Sequence, residues 1–377
     1  MNWAHHIARP NSIMKRIYSI DAFRGFDMLF LVGLSSVIAS ICILFPDGEH
    51  SWLYDQMDHA RWHGLNMYDL VFPTFLFIAG LSWPFSYENK VSKGLSNKQI
   101  YLDIAKRVAV LFLLGLVYNR ILLNWNLAEL RYYHVLFRIG FCWAIACILY
   151  MNAGRRKREI IAVALLLGYY LLLRFVPVPG AEDPDPFSYK GNLPGYIDRC
   201  IRYNDSYHEF FDPEGLLSNI PAIVTAMLGV FTGELIHDTG VSEKGKVLRM
   251  GVTAIGLIGL GLLWSIWFPI NKSLWTSSFV LVAGGIAIAL FGLFYYIIDI
   301  RGHKKWAFPF KVVGMNSITI YIAMEIIPFR TITDNVFGGI YDLCPPQWQP
   351  LIYSVGYTLI CWLFLYFLYK KKVFLKV

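Results

Sequence analysis

An all-α, polytopic membrane protein is the fold class this sequence predicts, and three observations carry the prediction. Apolar residues fill 56% of the 377 positions and the mean hydropathy is +0.47, too apolar for a soluble domain of that length. Runs of about 20 apolar residues, enough to cross the hydrocarbon of a bilayer, recur along the whole chain. The loops between them alternate between rich and poor in Lys and Arg. An outer-membrane barrel is excluded, because it would show alternating segments of about ten residues.

The runs number about ten, each matched to the span length of a helix. The first, Phe26–Phe45, is entered through the polar SIDAFRG stretch at 19–25, and the second, Met67–Tyr87, opens on Asp69. Tyr101–Leu122 carries Lys106 and Arg107 near one end, and His134–Met151 carries Arg138 within HVLFRIG. Ile160–Val176 follows the basic run Arg155–Arg158, and Gly215–Ile236 follows the longest polar segment of the chain, 176–215. Val247–Phe268 and Leu274–Ile298 are separated by a short turn containing NKSLW. Phe310–Phe329 is interrupted by Asn316, Ser317, Thr319 and Glu325, and Trp348–Leu368 ends in three lysines. With no linker, repeat or low-complexity segment between them, the runs are expected to form one domain over residues 1–377.

Basic residues orient the bundle. Runs such as Arg155–Arg158, Lys244 to Arg249, Arg301 to Lys311 and Lys370–Lys372 lie on one side, while the other side holds scattered cations. The positive-inside rule then places both termini in the cytoplasm and the loop containing His59 on the outer face. The formal net charge of +8 is thereby explained by topology beside anionic lipid, and nucleic-acid binding is not called for. The N-terminal MNWAHHIARPNSIMKR lacks the apolar core of a signal peptide. Of six cysteines, Cys42, Cys142, Cys147 and Cys361 fall within spans as small apolar residues, while Cys200 and Cys344 share the outer side and are the one pair open to a disulfide.

Chemistry concentrates in DHARWHGLNMYDLVFPTF at 58–75, where two histidines, an arginine and a tryptophan precede a carboxylate at a membrane boundary. A neutral imidazole takes up a proton near pH 7, and a charged residue at the mouth of a span is costly unless paired or used. His59 and His63 stand four apart, the spacing of a shared metal, but HExxH is absent and solvation is the simpler reading, so no metal is expected. Asp69 serves either as a helix cap or as the carboxylate that holds an imidazole in one tautomer. Arg24 pairs locally with Asp21 or presents its guanidinium to a phosphate or carboxylate. Lys106, Arg107 and Arg138 need counter-charges at membrane depth, which phosphates or Asp21, Asp27 and Asp103 would supply. Asn316 and Ser317 either bind helices together or contact a ligand. The aromatic, acidic segment 176–215, with Tyr189, Tyr196, Tyr203, Tyr207 and Phe210, suits a sugar acceptor or a simple lid.

Taken together, SIDAFRG at 19–25, HARWHGLNMYDLVFPTFLFIAG at 59–80, GYIDR at 195–199, DPEGLL at 212–217, NKSLW at 271–275, GMNSITIY at 314–321 and YKKKVFLKV at 369–377 resemble the heparan-α-glucosaminide N-acetyltransferase-like family of transmembrane acyltransferases, nearly end to end. The resemblance implies that acetyl-CoA binds from the cytoplasm as acyl donor and that an amine or hydroxyl of a sugar on the far face accepts the group. It assigns His59 as catalytic, as general base or as transient acyl carrier, with Asp69 beside it. Arg24, Lys106, Arg107 and Arg138 become candidates for the coenzyme's phosphates, and Asn316 and Ser317 for its pocket. Ser35 and Phe137 stand where the heparan-acting member has asparagine and glutamine, and its lumenal domain has no counterpart. These departures point to the bacterial branch, placed in the inner membrane with the His59 loop periplasmic and acting on an envelope glycan. A transporter without acyl chemistry is the alternative, and a homodimer is left open.

Overall fold

A computed structural model describes residues 17–119, 131–201 and 210–375, and every regular element among them is helical. Among the described residues seven helices are long and apolar enough to cross a membrane: α1 (Tyr18–Ile43), α2 (Met67–Ser92), α4 (Val135–Asn152), α7 (Asn219–His237), α8 (Glu243–Trp264), α9 (Ser277–Ile300) and α13 (Pro346–Lys370). Between them lie α3 (Asn97–Tyr118) and α5 (Arg155–Phe175), of 22 and 21 residues, which are long enough to span. Asp103, Lys106 and Arg107 interrupt the apolar window of the first, and the charges at the ends of α5 interrupt that of the second. The short α6 (Leu193–Ile201) lies in the long polar segment. Cys200 and Cys344 are both free thiols.

The expected span Phe310–Phe329 is not one helix. It is broken into α10 (Phe308–Gly314) and α11 (Ser317–Ile326), and α12 (Phe329–Tyr341) continues after a second break. Asn316 leaves helical geometry at φ −132° and ψ 33°, and Pro328 cannot donate the hydrogen bond that would carry α11 onward. Ring pairs place α12 antiparallel to α13: Phe329 meets Phe364 at 5.5 Å and Tyr341 meets Tyr353 at 6.3 Å. The crossing is therefore shared by three pieces, and the polar interruptions that weakened the sequence reading are the places where the helix turns.

Two glycine crossings bring the bundle together. A Cβ on Gly25 of α1 would lie 1.7 Å from the Phe310 carbonyl oxygen, and one on Gly314 of α10 would lie 1.9 Å from that of Asp21. The same device joins α2 to α7, where Gly80 abuts Ala226 and Gly229 abuts Phe77, both backbone to backbone. Small residues let helices approach closely where lipid supplies no hydrophobic drive. Around these crossings Phe23, Phe77, Phe291 and Trp83 are fully enclosed. The bundle thus has a densely packed middle.

Gly314→Ala is expected to force α1 and α10 apart and to destabilise the protein by about 3 kcal/mol or more, at the upper end of overpacking changes. Thermal unfolding in detergent measures it; a melting temperature equal to that of the wild type would show that the contact yields without cost.

Candidate functional site

The loop before α2 is built by short-range hydrogen bonds. Ser51 caps the single turn Trp52–Asp55, accepting from the Tyr54 N–H at 3.2 Å. Asn66 fastens the loop to that turn: its Nδ2 donates to the carbonyls of Asp55 at 2.8 Å and Asp58 at 3.0 Å. Gln56 closes the other side, accepting from the Met67 N–H at 3.1 Å and donating to Asn66 Oδ1 at 3.2 Å. The chain is thereby led back so that residues 59 and 69 meet.

Asp69, 1% exposed, is the centre of the arrangement. Its Oδ2 accepts from the backbone N–H groups of Ala60 at 3.1 Å and Asn66 at 3.0 Å, and its Oδ1 lies 2.8 Å from His59 Nδ1. A carboxylate only accepts, so Nδ1 carries the ring proton and Nε2 keeps the lone pair. The His59 side chain is half exposed. The Tyr68 ring stands 4.7 Å from the imidazole. His63 does not reach Asp69; it lies 3.4 Å from the Asn271 amide, and burial lowers its pKa against a smaller opposing effect of Asp185.

A third group, not singled out from the sequence, completes the site. The loop between α8 and α9 docks on the histidine loop: Gly64 N–H donates to the Ile270 carbonyl at 2.8 Å and Asn271 Nδ2 to the Trp62 carbonyl at 2.9 Å. Trp275, held at φ 52°, turns the chain into α9. This places Lys272 Nζ 3.0 Å from His59 Nδ1, 3.3 Å from Nε2 and 3.4 Å from Asp69 Oδ1. An atom nearly equidistant from both ring nitrogens cannot lie in the ring plane without striking the carbon between them, so the ammonium stands over the face. Burial lowers its pKa, and the charges of Asp69 and Glu214 oppose that shift. The only sequence signal for Lys272 was its place in NKSLW.

The long polar segment covers this end of the bundle. Trp62 Nε1 donates to the Phe187 carbonyl at 2.9 Å, and its ring packs edge-on against Tyr189 at 5.2 Å and Phe211 at 5.1 Å. Arg131, just before α4, pairs with Asp212 at 2.6 Å and with Glu214, and these carboxylates hold its pKa above the ordinary value despite burial. Arg138, fully buried, donates to the Gly215 carbonyl at 3.2 Å and to Ser218, and lies over the Trp275 ring at 4.9 Å. Asp198 of α6 accepts from the Leu216 N–H at 3.0 Å. Tyr203 and Tyr207 lie outside the described residues.

The other expected cations gather at the opposite end. Arg24 donates to Ser82 at 3.1 Å, thirteen residues along α2 from Asp69, or about 20 Å at the helical rise. Arg107 lies over the Trp143 ring at 4.2 Å, near enough to Arg24 for the two charges to repel, and its buried Nε has no partner among the described residues. Lys106 and Arg107 line a 280 Å³ cavity with Trp83, Ser86 and Asp103, whose carboxylate is taken by Lys90. Arg138 therefore belongs with the His59 end and not with Arg24, Lys106 and Arg107. Asn316 faces the C-terminal tail, donating to the Val373 carbonyl at 3.0 Å and accepting from the Leu375 N–H at 3.4 Å, while Ser317 opens α11 beside it. Among the described residues no group of three or more His, Cys, Asp or Glu is arranged to hold a metal ion.

Residues 16–192 match the family described as a domain of unknown function, DUF5009. The heparan-α-glucosaminide N-acetyltransferase of Homo sapiens is 27% identical over 427 aligned positions, which take in 98% of this chain and 61% of that protein. The Mus musculus protein of the same name is also 27% identical, over 97% of this chain and 61% of its own length. Nearly the whole chain is thus similar to heparan-α-glucosaminide N-acetyltransferases. It spans about 61% of the length of these curated relatives, and the similarity runs through both the His59 loop and the Lys272 turn.

Asp198 supplies a pH test of how the covering segment is held. Burial, with Asp212 nearby, raises its pKa to about 6. A carboxyl raised in the folded state favours folding fully below its ordinary value and loses that contribution as pH rises through about 6, a difference of about 3 kcal/mol. Asp198→Asn keeps the acceptor oxygen for Leu216, so it should raise the melting temperature at pH 8 and raise it only about half as much at pH 5, which lies between the unfolded and folded pKa values. An equal change at both values would locate the strain elsewhere.

Proposed function

We propose that this protein is an integral-membrane acyltransferase that moves an acetyl group from cytosolic acetyl-CoA to an amine or hydroxyl of a sugar on the opposite face. The observation that carries the reading is the His59–Asp69 pair: an imidazole with Nδ1 bound to a buried carboxylate and Nε2 keeping its lone pair, at a membrane boundary. The names of the relatives support a sugar amine as the acceptor's class. The basic loops of the far end support a cytoplasmic placing there and a periplasmic placing for His59, in an inner membrane.

In this reading Asp69 holds the imidazole, and Nε2 takes either the acceptor's proton or the acyl group itself. Lys106 and Arg107 line a cavity whose one carboxylate is already paired with Lys90, which leaves positive charge for the coenzyme's phosphates, with Arg24 beside them. Arg138 is assigned to the acceptor side, a reading supported by its hydrogen bonds to Gly215 and Ser218.

Purified protein given acetyl-CoA and a panel of amino sugars should release thiol. His59→Ala is expected to reduce that release at least ~100-fold with the melting temperature retained, the scale of losing a positioned base. Undiminished turnover in the variant would sink the assignment. Arg107→Ala is expected to raise KM for acetyl-CoA several-fold with kcat little changed, as for a group that binds donor and transition state alike; a fall in kcat at constant KM would remove it from the donor site. The broken α10–α11–α12 crossing favours a second reading, a transporter, since discontinuous helices also form substrate paths. Solute flux into proteoliposomes with no acyl-CoA consumed would establish it.

A further inference from the structure

If the acyltransferase reading holds, the site has one further residue with a part in its chemistry. Lys272 lies outside the groups that the histidine motif supplies, yet its Nζ is 3.0 Å from the imidazole Nδ1. Its position over the ring face, not in the ring plane, means that it does not occupy the Nε2 lone pair. The reactant and the ammonium therefore approach the same imidazole from different directions.

The charges of the reaction decide what such a group does. Before reaction the site holds Asp69 as carboxylate, a neutral ring and the Lys272 ammonium, which sum to zero. Whether Nε2 takes the acceptor's proton or attacks the thioester itself, the ring becomes an imidazolium as the carbonyl π pair moves onto oxygen. The tetrahedral intermediate then holds a carboxylate, an imidazolium, an oxyanion and the ammonium, again summing to zero. An imidazolium repels the ammonium over its face just as the oxyanion begins to attract it. Both charges fall within reach of one flexible side chain anchored by the Asn271 contacts.

We propose that Lys272 is a catalytic residue, the donor that stabilises the oxyanion of the tetrahedral intermediate formed at His59. With an amine as direct acceptor, its nitrogen bonds to the carbonyl carbon as Nε2 takes its proton. Collapse re-forms the C=O bond, breaks the C–S bond, and the thiolate leaves with the proton returned by the ring. Lys272 gains and loses no bond in either step; its Nζ–H moves from the ring face to the oxyanion and back. Asp69 restrains the ammonium in the resting state, and Glu214 and Arg138 are the further charges that act on it.

The test uses the full chain in detergent or nanodiscs, with acetyl-CoA, the amino-sugar panel and thiol release as the readout. Lys272→Met is expected to lower kcat on the order of 10²–10³-fold, the cost of removing one oxyanion donor, with KM for acetyl-CoA within about threefold. Lys272→Arg keeps a donor and a charge and should retain more of the rate than Lys272→Met. Added ethylammonium should restore part of the turnover to Lys272→Ala. A kcat reduced less than about fivefold in Lys272→Met, in a protein that His59→Ala silences, would overturn the proposal and leave the acyltransferase reading standing. Loss of rate accompanied by loss of thermal stability, with no ethylammonium rescue, would make Lys272 a structural tie and overturn it likewise. Wild-type protein that releases no thiol with any acceptor would overturn the parent reading and this one with it.

Discussion

The burial of the Asp69 carboxylate at the mouth of α2 is the constraint on which the site depends. A lone carboxylate taken out of water at a membrane boundary is strongly disfavoured, so its oxygens must be met by donors. Here they are met by two backbone N–H groups, one imidazole and one ammonium, contributed by Ala60, Asn66, His59 and Lys272. The position also suits a helix start, where exposed N–H groups favour negative charge. One carboxylate thus begins a span, fixes the path of the loop before it, selects the tautomer of the imidazole and holds the turn between α8 and α9 against that loop. Truncating it would leave several of these groups unpaired together.

This arrangement joins segments far apart in the chain only because the bundle is close-packed beneath it. Lys272 meets His59 across 213 positions of sequence. The turn that carries it sits at the top of α9, which packs against α8, while His59 precedes α2, locked to α7 by the Gly80 and Gly229 contacts. Backbone-to-backbone contact leaves little room for these helices to slide, so the two loops keep a common level. The same packing separates the polar groups: Arg24 meets Ser82 and Arg107 meets Trp143 at one level, while Arg138 meets Trp275 and Phe72 at another.

How far the sequence disclosed this follows from the range of each interaction. Hydropathy is local, and the long apolar helices were legible from it, although α1 begins at Tyr18, well before the expected Phe26, because its first two turns are polar. The His59–Asp69 pair was legible because both ends lie in one short motif. Lys272 was not, since no spacing rule links a turn before α9 to a loop before α2. Arg138 was read with the other span cations because charge alone does not report level within a membrane. Asn316 was legible as polar, but which partner its amide takes depends on the fold of the tail. The break in Phe310–Phe329 lay in plain view as Asn316 and Pro328; a hydropathy window averages over such residues, whereas backbone geometry does not.

The covering segment and the bundle carry opposite charges where they meet. Asp198, Asp212 and Glu214 all come from the segment that precedes α7, and Arg131, Arg138 and Lys272 all come from outside it. Arg131 takes two of the carboxylates directly, whereas Arg138 rests on the faces of Trp275 and Phe72 and on neutral acceptors. A guanidinium over aromatic faces is stabilised without a fixed counter-ion, so it stays buried while neighbouring charges change. Asp198, whose pKa is raised to about 6, is the member nearest to changing. The seam over His59 is therefore held partly by full charges and partly by groups that tolerate neutrality. That combination allows a segment to cover a site at a membrane boundary without a single buried ion pair deciding whether it stays there.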